Sequence, residues 1–213
     1  PKILKNIEVR RIPHGILQIN QQPREYRFKD TIRLLYVSTV KQYKHQWHLI
    51  EAVARLRQQG LPLELHLTGS GDRHALKRMR EAIQKHECLG KFVQYHGGLP
   101  HTAILKWYED VDLFAFPSSC ETFGISLLEA MAAGLPIVCS DRGPMPEVLR
   151  DAGIYFNPEH PDSIAASLNL LIQDESLRQI LGIKARSISK AYSWERCAHE
   201  TFSFLSSVYK RHF

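Results

Sequence analysis

Long apolar runs are the plainest absence from this 213-residue chain. None approaches the ~18 residues of a membrane-spanning helix. Its four cysteines, Cys88, Cys120, Cys139 and Cys197, form no C-x-x-C, so reduced thiols in a cytoplasmic protein are expected. The eleven histidines include no H-E-x-x-H and no Cys/His cluster. His45 and His48, three apart, read as surface or core residues, and no metal site is expected. No G-x-S-x-G nucleophile elbow occurs. Glycine is absent from Ser38–Gln46, the first strand-to-helix turn, where a dinucleotide oxidoreductase would carry its G-x-G-x-x-G. Repeats, low-complexity segments, and signal-peptide or lipidation patterns do not occur in the residues given.

What is present is the composition of a folded chain, 44% hydrophobic and 23% charged. The length suits one large domain, or a core domain with appended helices. A net charge of +6 suits a polyphosphate ligand or an anionic surface without choosing between them. The densest basic cluster is Arg73, His74, Lys77, Arg78, Arg80 and Lys85. On a predicted helix and without interleaved aromatics, it reads as a solvated face, and no nucleic-acid partner is expected.

Strand-like runs alternate with helical ones. The strands are expected at Leu34–Val37, Leu63–Thr68, Phe92–His96, Leu113–Phe116, Ile137–Ser140 and Ile154–Phe156. Helices are expected at Gln46–Gln59, His74–Glu87, Thr102–Glu109, Gly124–Ala133 and Met145–Leu149. Three more follow, near Asp162–Gln173, Glu175–Lys190 and Ser193–Tyr209. Nearly all-apolar strands separated by helices predict an α/β fold. It is a doubly wound (Rossmann-like) parallel sheet of about six strands, with helices on both faces and extra C-terminal helices. Ligands of such sheets bind beyond the carboxyl ends of the strands.

Cys120–Met131, C-E-T-F-G-I-S-L-L-E-A-M, holds the strongest local signal. After the apolar run Leu113–Phe116 it reads as a loop and then a helix starting near Phe123–Gly124 and stopping at Gly134. The free N–H groups of that helix carry roughly half a positive charge and can receive a phosphate. Gly124 lets the phosphate approach the backbone. Glu121 would stand at the ligand's edge and Glu129 one and a half turns into the helix. Two carboxylates beside a phosphate make sense only if they accept from hydroxyls, as a sugar beside a diphosphate would supply.

The run Pro117-Ser118-x-x-Glu121-x-Phe123-Gly124-x4-Glu129-Ala130-Met131-Ala132-x-Gly134-x-Pro136 resembles the E-x7-E signature of retaining GT-B glycosyltransferases, family 4. Val9-Arg10-Arg11-Ile12-Pro13-His14-Gly15 resembles the segment that leads into their second domain, with His14 where Asn is usual. Tyr192-Ser193-Trp194-Glu195 resembles the start of their last long helix, with Ser193 as N-cap. The resemblance implies that residues 1–213 are the C-terminal, nucleotide-sugar (donor) binding half of a GT-B fold. Residues 1–30 would lead in from an N-terminal acceptor-binding domain outside the chain, and 191–213 would form the final long helix.

Further site residues follow from the resemblance. The N–H groups of Phe123, Gly124 and Ile125 would take the donor diphosphate, with Lys44 adding charge. Glu129 would bind the ribose, and Glu121, the catalytic candidate, the sugar near its reacting carbon. Whether Glu121 attacks, stabilises or positions stays open. Gly98 and Leu99, in His96-Gly97-Gly98-Leu99, would meet the nucleobase, while Gly69-Ser70-Gly71 is either a donor-lining loop or a glycine turn. Thr39 stands where the family carries an Arg, and His45 where it carries Gly. Losing an Arg–phosphate bond costs about 1.5–3 kcal/mol, or ~10–100-fold in affinity, unless Lys41 or His45 compensates. Glu147 reads as a first-turn carboxylate complementing its helix.

The implied activity is transfer of a sugar from a nucleotide-diphosphate donor, with retention, without metal or other cofactor. The isolated chain is not expected to turn over. The acceptor is left open, a lipid-linked one or a position at the inner face of a membrane being compatible with the charge. The alternative is a regulatory nucleotide-binding module without catalysis, favoured only by Thr39.

Overall fold

The structure, a computed structural model, describes residues 8–17 and 24–212. The remaining residues of the lead-in segment 1–30 lie outside it. The chain divides into two compact units, one of Ile19–Ser189 and one pairing Pro1–Gln18 with Lys190–Phe213.

The larger unit holds a six-stranded sheet with helices on both faces. Its strands are β1 (Ile32–Val37), β2 (Leu63–Thr68), β3 (Val93–Tyr95), β4 (Leu113–Phe116), β5 (Ile137–Ser140) and β6 (Ile154–Phe156). They lie in the order β3-β2-β1-β4-β5-β6, and every neighbouring pair is parallel. Four residues in each of β4 and β5 are buried without interruption, because helices cover both faces of a parallel sheet and leave no polar side. Each fully buried Leu or Phe there contributes roughly 1.5–3 kcal/mol relative to exposure.

The helices are α1 (Gln46–Gln58), α2 (Arg73–Lys85), α3 (His101–Asp110), α4 (Ile125–Ala132), α5 (Met145–Leu149), α6 (Pro161–Gln173) and α7 (Glu175–Ser189). Right-handed crossovers send α1 and α2 to one face and α4 and α5 to the other, because the strand order runs outward in opposite directions from β1 and β4. Accordingly α1 packs against α2 and α6, and α4 against α5 and α7. The α4–α7 contact is close. A Cβ on Gly182 would lie 2.5 Å from the Gly134 carbonyl oxygen.

Local sequence explains the helix ends. Asp72 caps α2, its Oδ1 accepting from Ala75 N–H at 2.9 Å. Gly134, at φ 69°, closes α4 in a Schellman turn. Leu135 N–H donates to Ala130 and Gly134 N–H to Met131, at 3.1 and 2.9 Å. The elements match the expected order, with shifted boundaries. The α4 helix begins at Ile125, with Gly124 outside it as N-cap. The α2 helix stops at Lys85 and hands over to a 3-10 turn at Glu87–Leu89.

The smaller unit is built on α8 (Trp194–His212). Ser193 is its N-cap, accepting from Arg196 N–H at 3.1 Å. Residues 8–17 run alongside. Ile16 N–H donates to Tyr192 O at 3.1 Å, and Glu8 pairs with Arg211 at 2.6 Å. The Ile12-Pro13-His14-Gly15 motif gains a reason here. A Cβ on Gly15 would fall 2.2 Å from the Trp194 nitrogen, so only glycine fits.

Candidate functional site

Strand order reverses between β1 and β4, and the crevice beyond their carboxyl ends is where such sheets take ligands. The loop after β1 and the loop after β4 form its walls. Ser126 ties α4 to the first strand by donating to the Val37 carbonyl at 2.9 Å, which aims the helix N-terminus into the crevice. Gly124 there has φ 86°, a left-handed conformation that costs a side-chain-bearing residue roughly 1–2 kcal/mol. The first helical residue, Ile125, is about half exposed.

Across from it the loop after β1 folds into a 3-10 turn at Gln42–Lys44. Tyr36 O–H, buried in β1, donates to the Lys44 carbonyl at 3.0 Å, and burial holds that phenol well above its ordinary pKa. The Lys44 ammonium is buried and pairs with the Glu121 carboxylate. The structure therefore joins two of the expected site residues directly, across the switch point.

His45, where the resembled family has Gly, takes φ 54° and ψ 31°. Its buried ring repays that strain by linking three loops. The Pro158 carbonyl can only accept, so His48 Nδ1 carries a proton, directed at Pro158 O (3.0 Å) and at His45 Nδ1 (3.2 Å). His45 Nε2–H then donates to Ser119 Oγ at 2.8 Å. Ser119 is fastened to the Tyr43 carbonyl by its N–H at 2.9 Å. This arrangement requires a neutral His45, whose Nδ1 accepts. Burial, with His48 alongside, lowers His45 to about 4, and burial lowers His48 as well. His45 is thus a clamp between the loops that carry Lys44 and Glu121, with both ring nitrogens bonded within the protein.

Glu129 projects from the second turn of α4 and is 8% exposed. Its Oε2 accepts from Tyr108 O–H at 3.0 Å, and its Oε1 lies 2.6 Å from His101 Nε2. Burial and the adjacent Glu129 charge raise the Tyr108 phenol well above its usual range. Neither partner was singled out from the sequence. His101 directly follows the Gly97–Pro100 loop and opens α3, a placement close to those of His74, His45 and His160 at other helix starts.

Other expectations separate. Thr39 is exposed, and its carbonyl accepts from Gln46 Nε2 at 3.0 Å. Gly98 and Leu99 take no part in the Lys44–Glu121 pair or in the bonds from His101 and Tyr108 to Glu129. The Gly69-Ser70-Gly71 loop is stitched between its neighbours. Val40 N–H donates to Ser70 O at 2.8 Å and Gly69 N–H to Gly97 O at 2.7 Å. A Cβ at Gly69 would lie 2.1 Å from the Ser38 carbonyl oxygen, so these glycines serve close backbone approach. On α2, Arg78 lies over the Trp47 ring at 4.0 Å and Lys85 meets Glu51 at 3.0 Å, as befits a charged surface. Glu147 falls in the first turn of α5. Asp110-Val111-Asp112 has a D-x-D spacing, but it lies at the end of β4 away from the crevice, where Asp112 accepts from Arg33 N–H at 2.7 Å. Among the described residues no three His, Cys, Asp or Glu gather as for a metal ion. No described helix is long and apolar enough to cross a membrane.

Comparison with known proteins bears on the family and the fold. Residues 18–188 match the family model described as Glycosyl transferases group 1, and the chain belongs to that family. O-antigen chain mannosyltransferase B of Escherichia coli is 36% identical over 112 residues, which are 53% of this chain and 29% of that protein. Anabaena HepE, solved with UDP and glucose, superimposes at a TM-score of 0.75 and 22% identity, over 84% of this chain and 49% of that one. The C-terminal domain of LpcC, a glycosyl transferase group 1 family protein of Francisella tularensis, aligns at a TM-score of 0.69 and 24% identity. That match covers 77% of this chain and 87% of the domain. The fold is thus the C-terminal half of a GT-B glycosyltransferase. The chain spans well under two thirds of the length of the curated relatives it matches.

Proposed function

We propose that this chain is the donor-binding half of a retaining, metal-independent glycosyltransferase of family 4. It would hold a nucleotide-diphosphate sugar for transfer to an acceptor bound by a second, N-terminal domain. The observation that carries the reading is the meeting of Lys44, Glu121 and the α4 N-terminus at the β1/β4 switch point. HepE, of the same fold, was solved with UDP and glucose, and the Escherichia coli relative is named for mannosyl transfer, so a hexosyl donor is the natural first substrate.

In this mechanism the bond between the anomeric carbon and the diphosphate oxygen breaks, and its electron pair leaves with the diphosphate. The amides of Phe123, Gly124 and Ile125, together with Lys44, stabilise that charge with donors already in place. The acceptor hydroxyl oxygen bonds to the anomeric carbon, and its proton passes to the departing phosphate oxygen. Glu121 meets the sugar hydroxyls. Its ion pair with Lys44 spreads its charge, which suits orientation and stabilisation better than attack. Glu129 receives the ribose, and Gly98 and Leu99 the base. Thr39 leaves the diphosphate without the usual Arg, and the positive α4 terminus and Lys44 carry that load. A cytoplasmic location and an acceptor on a lipid or membrane surface complete the proposal.

The test is a transfer assay on the enzyme with both domains. Glu121→Ala and Glu121→Gln should each lose most of the rate while donor binding persists. Unchanged transfer in either variant would remove Glu121 from the reaction.

A further inference from the structure

The carboxylate of Glu129 is gripped from two sides by groups of unlike character. On the inner side is Tyr108, fully buried, whose hydroxyl divides its proton between Oε2 at 3.0 Å and the Ser126 carbonyl at 3.2 Å. On the outer side is His101, whose half-exposed ring brings Nε2 to 2.6 Å from Oε1. A carboxylate oxygen can accept twice, so each bond leaves an acceptor position available. Two donors from a single helix, α3, leave the Glu129 side chain little rotational freedom, and its orientation is settled before any ligand arrives. His101 also closes the Gly97–Pro100 loop. The segment assigned to the nucleobase therefore runs directly into the residue that holds the carboxylate assigned to the ribose.

We infer that His101 is a specificity-determining residue of the donor site. It turns Glu129 Oε1 toward the ribose hydroxyls of a nucleoside diphosphate, and so lets the site distinguish ribose from 2′-deoxyribose. The inference rests on the proposed ribose role of Glu129. A ribose hydroxyl donating to an oriented carboxylate makes a charge-assisted bond. Its loss in a deoxy ligand should cost about 10–100-fold in affinity. Without His101 the outer oxygen turns to water, and either sugar is then accepted on nearly equal terms.

Calorimetric titration of the 213-residue chain with UDP, GDP, ADP and their 2′-deoxy counterparts tests this. The comparison uses the wild type, His101→Phe, His101→Gln and Glu129→Ala, with thermal unfolding as the check on folding. His101→Phe keeps a planar ring without a donor, whereas His101→Gln restores an N–H. We expect a ribose preference of roughly tenfold or more in the wild type, falling to about threefold or less in His101→Phe and largely regained in His101→Gln. Loss of the preference in Glu129→Ala but not in His101→Phe would overturn the role of His101 alone. Equal weakening of both sugars in His101→Phe would do the same, since that is the signature of a structural role. A preference that survives in Glu129→Ala, or no binding of any of these nucleotides, would overturn the ribose assignment and this inference with it.

Discussion

The two glutamates of the crevice are held in opposite ways. Glu121 sits on the loop after β4, and its partner Lys44 sits on the loop after β1, so their pairing depends on the register of two loops. Glu129 sits inside α4, and both of its partners come from α3, so its place follows from helix packing. The loop-borne pair needs its own fastening, which Ser126, Ser119 and His45 supply. The contrast suits a division of labour. A carboxylate paired with a cation on a facing loop can exchange that partner when a diphosphate arrives. A carboxylate locked between helices can recognise a ligand without moving.

The largest effect should come at the loop-borne pair. Glu121→Ala should lower the transfer rate by about 100-fold or more, with nucleotide affinity within threefold of wild type by titration. Comparable losses in both would erase the distinction between reacting and recognising ends. Glu129→Ala should show the reverse profile, weakening nucleotide binding by about 10–100-fold. A double-mutant cycle of Lys44→Met and Glu121→Gln, read by denaturant unfolding, should give a coupling of about 1–3 kcal/mol. The exposed, solvent-screened Lys184–Asp151 pair should give a clearly smaller coupling in the same cycle. Equal couplings would mean that burial of the first pair has no energetic consequence.

The smallest effect concerns the clamp. His45→Gly removes left-handed strain and hydrogen bonds of similar size, so stability near pH 7 should change by about 1 kcal/mol or less. Its pH profile should change more. The folded state lowers His45 from 6.5 to about 4. Between those values the unfolded chain therefore binds more protons, and stability is complete above pH 6.5 and falls as pH drops toward 4. In His45→Gly that decline should be shallower, with His48, His66 and His96, all lowered by burial, contributing to what remains. An identical slope would separate the clamp from the acid sensitivity.

Strands and helices were legible because Leu34–Val37 of β1, and β4 and β5, are apolar runs, and because Gly134 and Ser193 mark helix ends chemically. The pairing of β1 with β4 was not written locally, since register between strands so far apart in sequence comes from packing both sheet faces. At the site, Glu121 and Glu129 were visible in the E-x7-E run, and Lys44 through the resemblance to the family. The bond from His101 to Glu129 was not, because it joins residues 28 apart whose approach depends on how α3 lies against α4. The His45 clamp was hidden for a similar reason. The sequence shows a histidine where glycine is usual, but only the fold brings Ser119 and His48 to its ring.

The most direct test of the crevice as a nucleotide-diphosphate site is thermal unfolding of the chain and its Glu129→Ala variant with UDP, GDP and ADP. Ligand at ~100 times its dissociation constant adds about 2.7 kcal/mol, a rise of roughly 5–10 °C for a chain of this size. A rise selective for one base and cut to about half or less in Glu129→Ala is the predicted result. An equal rise in both proteins, or none with any of the three nucleotides, would contradict it.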